Sequence, residues 1–264
     1  MWGSNPHHQR ILLECFLVVT KQMPRNPSKL YSCHVANLRE LKLAIGHTER
    51  LARAAIASSD PQNSLRSLLR LYAFLIGAWA ECRLLKLLHE ELGFKNIERI
   101  NITVKPTQFE QWQETVDLAF RKHHKISKAP LDENSLGVAH AARRAALHDV
   151  LGNELRIIIE IRNKLAHGQW VYPLNNEGTA VEPEKYKLIN KENLQSLKFK
   201  FDLLGHLADA THDLVVSPAT FNRDFELHFR KLFQARTNLI TKKYAKYENK
   251  LIMSRRQARL NKKI

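Results

Sequence analysis

The chain has 264 residues, of which 44% are hydrophobic and 26% are charged. This length allows one large domain or a domain with appendages, and the composition is typical of a soluble globular protein. The formal net charge of +16 favours a polyanionic partner, either a nucleic acid or an anionic membrane surface. The competing interpretation is a basic surface that only keeps the protein soluble.

The cysteines and the apolar stretches exclude two further classes of protein. The three cysteines are odd in number and lack a C-x-x-C spacing, which argues against a disulfide framework and fits a reducing, cytoplasmic location. No segment reaches the roughly 18 apolar residues of a membrane span. The stretch "ILLECFLVV" at 11–19 is short, is interrupted by Glu14 and precedes no small-residue cleavage site. We therefore expect no membrane insertion, and we expect residues 1–30 to be weakly ordered or loosely docked.

Apolar residues recur at three- and four-residue spacing along most of the chain, which predicts an all-α helical bundle. The predicted helices cover residues 35–58, 64–93, 107–124, 135–151, 153–167, 191–215 and a last helix from 218 deep into the C-terminus. The helix at 64–93 has a broad apolar face and is predicted to be central. The β-branched stretch 97–106 predicts a short extended piece. The aromatic and turn residues near 168–189 predict a small β-hairpin or a long loop inserted into the bundle.

The stretch "EIRNKLAHGQW" at 160–170 directly follows an apolar run of three isoleucines. One interpretation is an ordinary helix end, in which Gly168 takes the left-handed conformation and His167 complements the negative end of the helix dipole. That interpretation leaves Arg162 and Asn163 unexplained, because they stand where core residues are expected.

The alternative is a site for phosphodiester cleavage. Asn163 and His167 are four residues apart and share a helix face, whereas Arg162 lies about 140° round the helix but has a long side chain. Histidine transfers protons near neutral pH, and arginine binds a phosphate through two hydrogen bonds and stabilises developing charge. RNA supplies its own nucleophile, the 2′-hydroxyl, so this set of side chains requires no metal.

The sequence "RNKLAH" at 162–167 resembles the Arg-Asn-x-x-x-His form of the Arg-x(4–6)-His motif of the HEPN superfamily. The position of this motif on a late helix after an apolar run, and the early apolar helix at 68–93, also resemble that family. The resemblance covers roughly residues 35–215. It implies a HEPN-like bundle that acts as a homodimeric, metal-independent endoribonuclease without a cofactor. It also implies a toxin or antiphage-defence setting, with an antitoxin or another defence component as partner.

The same resemblance implies a role for each residue of the motif. His167 would be the catalytic acid or base, Arg162 would bind the phosphate and the transition state, and Asn163 would position the substrate. Glu81 in the early helix would be the acidic group that orients Arg162, and its alternative is a glutamate facing solvent. Because some members of the family only bind nucleic acid or protein, a non-catalytic binding module is the second hypothesis.

The C-terminus carries most of the net positive charge of the chain. Residues 230–264 hold twelve of the 42 lysines and arginines but only one of the 26 acids. This charge predicts an electrostatic contact with phosphates, and its alternative is a solvated tail that partly docks on the bundle. The candidate RNA ligands are Lys242, Lys243, Lys246, Arg255, Arg256 and, outside the tail, Arg144. We therefore divide the chain into an N-terminal segment (1–30), a HEPN-like domain (31–216) and a basic extension (217–264).

The remaining histidines do not predict a metal site. His206, Asp209 and Asp213 share a helix face, but a solvated polar face is the favoured interpretation. The pair His123–His124 is interpreted as exposed loop residues, and His140 belongs to a solvated basic face.

Overall fold

The computed structural model of the protein describes residues 27–58 and 62–261. Within these ranges the fold is all-α, as predicted, and an isolated antiparallel bridge between Leu174 and Val181 is the only extended pairing. The predicted N-terminal segment falls largely on residues 1–26, which lie outside the described residues. The helices are α1 (Pro27–Ser58), α2 (Gln62–Leu88), α3 (Asn96–Thr103), α4 (Gln108–His124), α5 (Glu133–Leu136), α6 (Val138–Val150), α7 (Arg156–Ala166), α8 (Pro183–Lys191), α9 (Leu194–Val216), α10 (Pro218–Thr241) and α11 (Tyr244–Asn261).

Helix α2 is the central element, as its broad apolar face predicts. It packs against α1, α7 and α9, and it buries Tyr72, Ile76, Trp79 and Leu84 almost completely. Full burial of one such apolar side chain stabilises the fold by about 1.5–3 kcal/mol. Helix α7, which carries the Arg-x4-His motif, is therefore positioned by its contact with the core of the bundle.

Helices α6 and α7 form one continuous helix, whereas the sequence predicted a break at Gly152. The turn Leu151–Leu155 between them is π-helical, and its backbone angles remain in the right-handed helical region at both ends. Leu151 and Leu155 are fully buried, so packing outweighs the low helix propensity of a single glycine. Single π-helical turns are frequent at functional sites.

The predicted extended piece at 97–106 is wrong, because this segment contains helix α3. The carboxylate of Glu98 accepts a hydrogen bond from the backbone N–H of Lys95 at 2.6 Å and so caps the first turn. Ile102 on the inner face is fully buried. Capping and burial outweigh the weak preference of β-branched residues for strands.

The predicted insertion near 168–189 consists of a loop and a helix. Residues 167–182 form a long loop, in which two backbone hydrogen bonds of 2.8 Å flank the bridge between Leu174 and Val181. No β-hairpin forms in this described segment. The chain then enters helix α8, which begins at Pro183 and buries Ile189.

The C-terminal helices pack on the bundle. Helix α10 runs along α9, and α11 packs against α1. The predicted single C-terminal helix is interrupted at Lys242, whose backbone is extended. This break lets the chain turn, so that Tyr247 and Leu251 pack against the core.

None of the helices within residues 27–58 and 62–261 has the length and apolarity needed to cross a bilayer.

The stability of the fold is expected to fall as the solution becomes mildly acidic, in part because of His89. This imidazole is half-buried and stacks on His34 with ring centroids 5.2 Å apart. Burial, with help from the charge of Arg99, lowers the pKa of His89 from 6.5 to about 4. The unfolded chain therefore binds more protons than the folded chain between these pH values, and stability is lost as the pH falls from about 6.5 towards 4.

The melting temperature of His89→Gln should decrease less steeply with falling pH than that of the wild type. The measurement is thermal unfolding followed by circular dichroism across this pH window. His47→Gln is the control, because His47 is exposed on α1. Equal slopes for the wild type and His89→Gln would contradict the assignment.

Candidate active site at the end of helix α7

The C-terminal turn of α7 exposes the motif while it buries the apolar side of the helix. Ile158, Ile161 and Leu165 are buried, whereas Asn163 and His167 are exposed. His167 is the C-cap residue, and Gly168 adopts a left-handed backbone with φ of +75°. The helix end that the sequence predicted is therefore present. It accounts for Gly168 but not for the side chains of Arg162 and Asn163.

Arg162 turns towards α2 and forms an ion pair with Glu81. Its Nη1 atom also donates a hydrogen bond of 3.0 Å to Oδ1 of the neighbouring Asn163. The Arg162 side chain is 21% exposed and that of Glu81 is 46% exposed. Burial lowers the pKa of the Arg162 guanidinium from its usual value, but arginine stays charged in proteins. The structure thus brings together Glu81, Arg162 and Asn163, in the arrangement that the resemblance implies for an oriented arginine.

A close approach between α2 and α7 makes this contact possible. Gly77 of α2 is buried directly against Arg162 of α7. A Cβ atom added at Gly77 would overlap the Cβ of Arg162 and would lie 2.7 Å from its Cγ. Glycine at this position therefore admits the stem of Arg162 between the helices. Glu81 lies four residues further along α2, on the same side of the helix.

His167 lies on an open cleft next to this ion pair. The cleft has a volume of about 530 Å³ and is lined by Glu160, Asn163, Lys164, His167, Gln169, Asn175, Asn176 and Lys185. Among the described residues no hydrogen bond joins Arg162 to His167. Asn163 is the link between them, because it contacts Arg162 and also lines the cleft.

Ion pairs hold the loop that walls the cleft. Lys164 donates to the backbone oxygen of Leu174, and its Nζ lies 2.5 Å from the carboxylate of Glu182. Lys185 also pairs with Glu182, at 2.6 Å. Hydrogen bonds from these two lysines lower the pKa of Glu182 below its usual value. The loop that forms the wall of the cleft is therefore held against α7 and α8.

The structure adds an aromatic pair that sequence reasoning did not select. Tyr172 of the loop and Tyr186 of α8 stack in parallel with ring centroids 5.6 Å apart. They are 57% and 37% exposed. Tyr172 follows Trp170 and Val171 in the sequence, and this pattern predicted a small hairpin or a long loop but no role for the ring. Exposed aromatic rings beside a polar cleft are suited to stacking on unpaired bases.

The predicted RNA ligands fall into two groups. Lys242, Lys243, Lys246 and Arg256 are exposed on the turn before α11 and on α11 itself. Arg255 is half-buried and donates to the backbone oxygen of Ala54 at 2.9 Å, close to the end of α1.

Arg144 is not part of the basic C-terminal surface. Its guanidinium donates two hydrogen bonds, of 2.7 and 2.9 Å, to the carboxylate of Asp117, which also contacts His148 at 2.7 Å. Burial alone would raise the pKa of Asp117, but hydrogen bonds from His148 and Arg144 lower it below its usual value. A bidentate pair of this kind supports the packing of α6 on α4 and leaves Arg144 little freedom to bind a phosphate.

The other predicted residues remain apart. Asp213 accepts a hydrogen bond from His228 at 3.0 Å, and Glu90 accepts one from His212 at 3.1 Å, so these side chains already have partners within the bundle. His206 and Asp209 are not brought into a common cluster of three metal-ligand side chains within the described residues.

Comparisons with known proteins return no match: no family model, no curated protein and no solved structure matches this chain. The resemblance to the HEPN superfamily therefore rests on the motif and on the helices that carry it.

Substitution of Gly77 should disturb the site through the stem of Arg162. Gly77→Ala places a methyl group against the Cβ of Arg162, and overpacking of this kind costs about 1–3 kcal/mol. This exceeds the gain of about 0.5–1 kcal/mol that alanine brings to a helix interior. The measurement is the free energy of unfolding in urea.

Gly46→Ala is the matched control, because Gly46 lies inside α1 and a Cβ there meets no atom within 4 Å. The control should be as stable as the wild type or more stable. Equal stabilisation by both alanines would show that α2 and α7 are not in close contact at Gly77.

Proposed function

We propose that the chain is a metal-independent endoribonuclease of HEPN type that acts as a homodimer. The observation that carries the proposal is the position of Asn163. It hydrogen-bonds to the Glu81-oriented guanidinium of Arg162 and lines the same cleft as His167. An amide and a histidine therefore line one polar, solvent-open space, and the same amide contacts a cation that Glu81 holds in place.

The chemistry follows from these three side chains and from RNA itself. His167 accepts the proton of a 2′-hydroxyl, and the 2′-oxygen attacks the adjacent phosphorus. Arg162 stabilises the charge that develops on the phosphoryl oxygens. The bond from phosphorus to the 5′-oxygen breaks, and this oxygen takes a proton from solvent water. The products are a 2′,3′-cyclic phosphate and a 5′-hydroxyl.

A homodimer supplies what one chain lacks. Within one chain Arg162 faces Glu81, and no hydrogen bond joins it to His167 among the described residues. In a two-fold dimer the same surface meets itself, so that His167 of one chain can approach Arg162 of the other. The exposed Val171 of the loop supplies apolar contact area. The leaving 5′-oxygen takes its proton from solvent water, so that one Arg162 and one His167 complete each site.

Substrate access is the proposed role of the basic and aromatic surfaces. The exposed lysines at 242, 243 and 246 attract the RNA backbone, and the stacked Tyr172–Tyr186 pair offers a ring face to an unpaired base. The family resemblance alone suggests the remaining parts: a cytoplasmic toxin or antiphage role, and an antitoxin or another defence component as partner.

The second candidate is a non-catalytic module that binds RNA. The observation that favours it is the position of His167 at a helix end, where the histidine also serves as a C-cap. In this case the exposed lysines would carry the function.

Cleavage should depend on His167 but not on other exposed histidines. We expect wild type and His47→Ala to cut a mixed RNA pool in the presence of EDTA, and His167→Ala to be at least about 100-fold slower, because a positioned acid–base group contributes this much or more. The measurement is the rate of appearance of cyclic-phosphate ends, with melting temperatures recorded in the same buffer. Equal cutting by His167→Ala and wild type would exclude this site. RNA binding without cutting by any protein would favour the non-catalytic module.

Mixing two inactive variants tests the composite site. In a mixture of Arg162→Ala and His167→Ala chains, half of the dimers contain one chain of each variant. In such a dimer, one of the two sites has both Arg162 and His167 intact. Activity should therefore return to about a quarter of the wild-type level. A mixture that stays inactive would show that each site uses Arg162 and His167 of the same chain, or all four groups together.

RNA affinity should depend on the lysines of the C-terminal turn. The triple variant of Lys242, Lys243 and Lys246 to glutamine should bind single-stranded RNA more weakly, with a smaller dependence on salt, because each lost phosphate contact reduces the slope of log K against log salt by about 0.7. The control is glutamine at three exposed lysines elsewhere, Lys42, Lys95 and Lys128. The measurement is fluorescence anisotropy at several salt concentrations. Equal slopes for both triple variants would assign RNA binding to overall charge.

A further inference from the structure

A cluster of three histidines lies outside the candidate active site and shares no residue with it. His123 and His124 are the last two residues of α4, and His140 lies in the first turn of α6. One ring nitrogen from each histidine lies within 4.8 Å of the other two. The rings of His124 and His140 are nearly perpendicular, with centroids 4.5 Å apart.

The local fold brings these side chains together. Helix α4 ends at His124, because Lys125 adopts a left-handed backbone with φ of +56°. The chain then returns, and Gly137 starts α6. Phe120 packs under the cluster, with its ring centroid 6.4 Å from those of both His124 and His140.

Two nitrogens of the cluster lack a protein partner. Nε2 of His124 and Nδ1 of His140 are buried and form no hydrogen bond within the described residues. Burial lowers the pKa of all three imidazoles, and that of His140 falls to about 4. The nitrogen of a neutral imidazole is a common metal ligand. Buried polar nitrogens without partners in a native fold require an explanation.

Arg143 is close enough for its charge to help lower the pKa of His140, but partners on α10 hold its side chain. The side chain of Arg143 is drawn towards α10, where it donates to Asn222 at 3.1 Å and stacks over Phe225. Lys122 pairs with Glu98 at 3.4 Å. His123 and His124 also occupy the C-terminal turn of α4, where the helix dipole favours positive charge.

We propose that His123, His124 and His140 form a binding site for one Zn²⁺ ion, with water in the fourth position. Zinc binds imidazole nitrogen at 2.0–2.1 Å, so a tetrahedral site needs ring nitrogens about 3.4 Å apart. The ring nitrogens, which lie within 4.8 Å of one another, must therefore move closer together when the ion binds. Asn222, whose amide nitrogen lies 3.4 Å from Nε2 of His123, is placed to hydrogen-bond the metal-bound water.

The metal would join the end of α4 to the start of α6. Helix α6 continues through the π-helical turn into α7, which carries Arg162 and His167. A bound ion would therefore stabilise the segment that leads to the candidate active site, while it takes no part in the proposed cleavage. Zinc binding is measured without RNA, so the result is independent of the nuclease proposal.

The test is calorimetric titration of tag-free, chelator-stripped, full-length protein with ZnCl₂, and with MgCl₂ in parallel. We expect one Zn²⁺ per chain, no Mg²⁺ binding, and a melting temperature that rises with zinc. His124→Gln and His140→Gln should each weaken zinc binding at least about 100-fold, because even residues that only orient a ligand are worth 10–100-fold. His47→Gln, and the double variant of His7 and His8 to glutamine, should bind zinc as the wild type does.

Three results would overturn the site: no zinc binding by the wild type, unchanged binding by His124→Gln and His140→Gln, or loss of binding in the His7/His8 variant. If a glutamine variant does not fold, X-ray absorption at the zinc edge of the wild-type complex decides the question. Three imidazole nitrogens around zinc support the proposal, and fewer than three contradict it.

Discussion

The contact between α2 and α7 is the constraint on which the candidate site depends. Gly77 admits the stem of Arg162, and Glu81, one helical turn further along α2, pairs with its guanidinium. An ion pair this exposed contributes no more than about 1 kcal/mol to stability. Its importance is therefore geometric: it holds a cation at a defined place beside Asn163 and the cleft.

One long helix connects Arg162, near its C-terminal end, to the histidine cluster at its N-terminal end. The segment from Val138 to Ala166 begins at the histidine cluster and passes through the π-helical turn at Leu151–Leu155 before it reaches Arg162. Because Leu151 and Leu155 are fully buried, the turn is held by the core. A metal that orders the junction between α4 and α6 would therefore stabilise the helix that carries the motif.

The basic C-terminus combines two physical roles. Its apolar residues Tyr247 and Leu251 pack on the core, and Arg255 bonds to the backbone of α1. Lys242, Lys243 and Lys246 stay exposed. The tail is therefore a docked element with a charged outer surface, and its contact with phosphates stays a prediction.

Local features of the molecule follow from the sequence alone. The all-α fold, the central position of α2, the end of α7 and the left-handed Gly168 depend on apolar spacing and on residues within one or two turns of each other. The carboxylate partner of Arg162 was selected only through a family resemblance. The tertiary structure alone decided three contacts. Arg144 pairs with Asp117, His123 and His124 lie beside His140, and Tyr172 stacks on Tyr186. Each of these contacts joins segments that are brought together by helix packing or by a reversal of the chain. The spacing of residues in the sequence predicts the helices, but it does not predict which side chains of different helices come into contact.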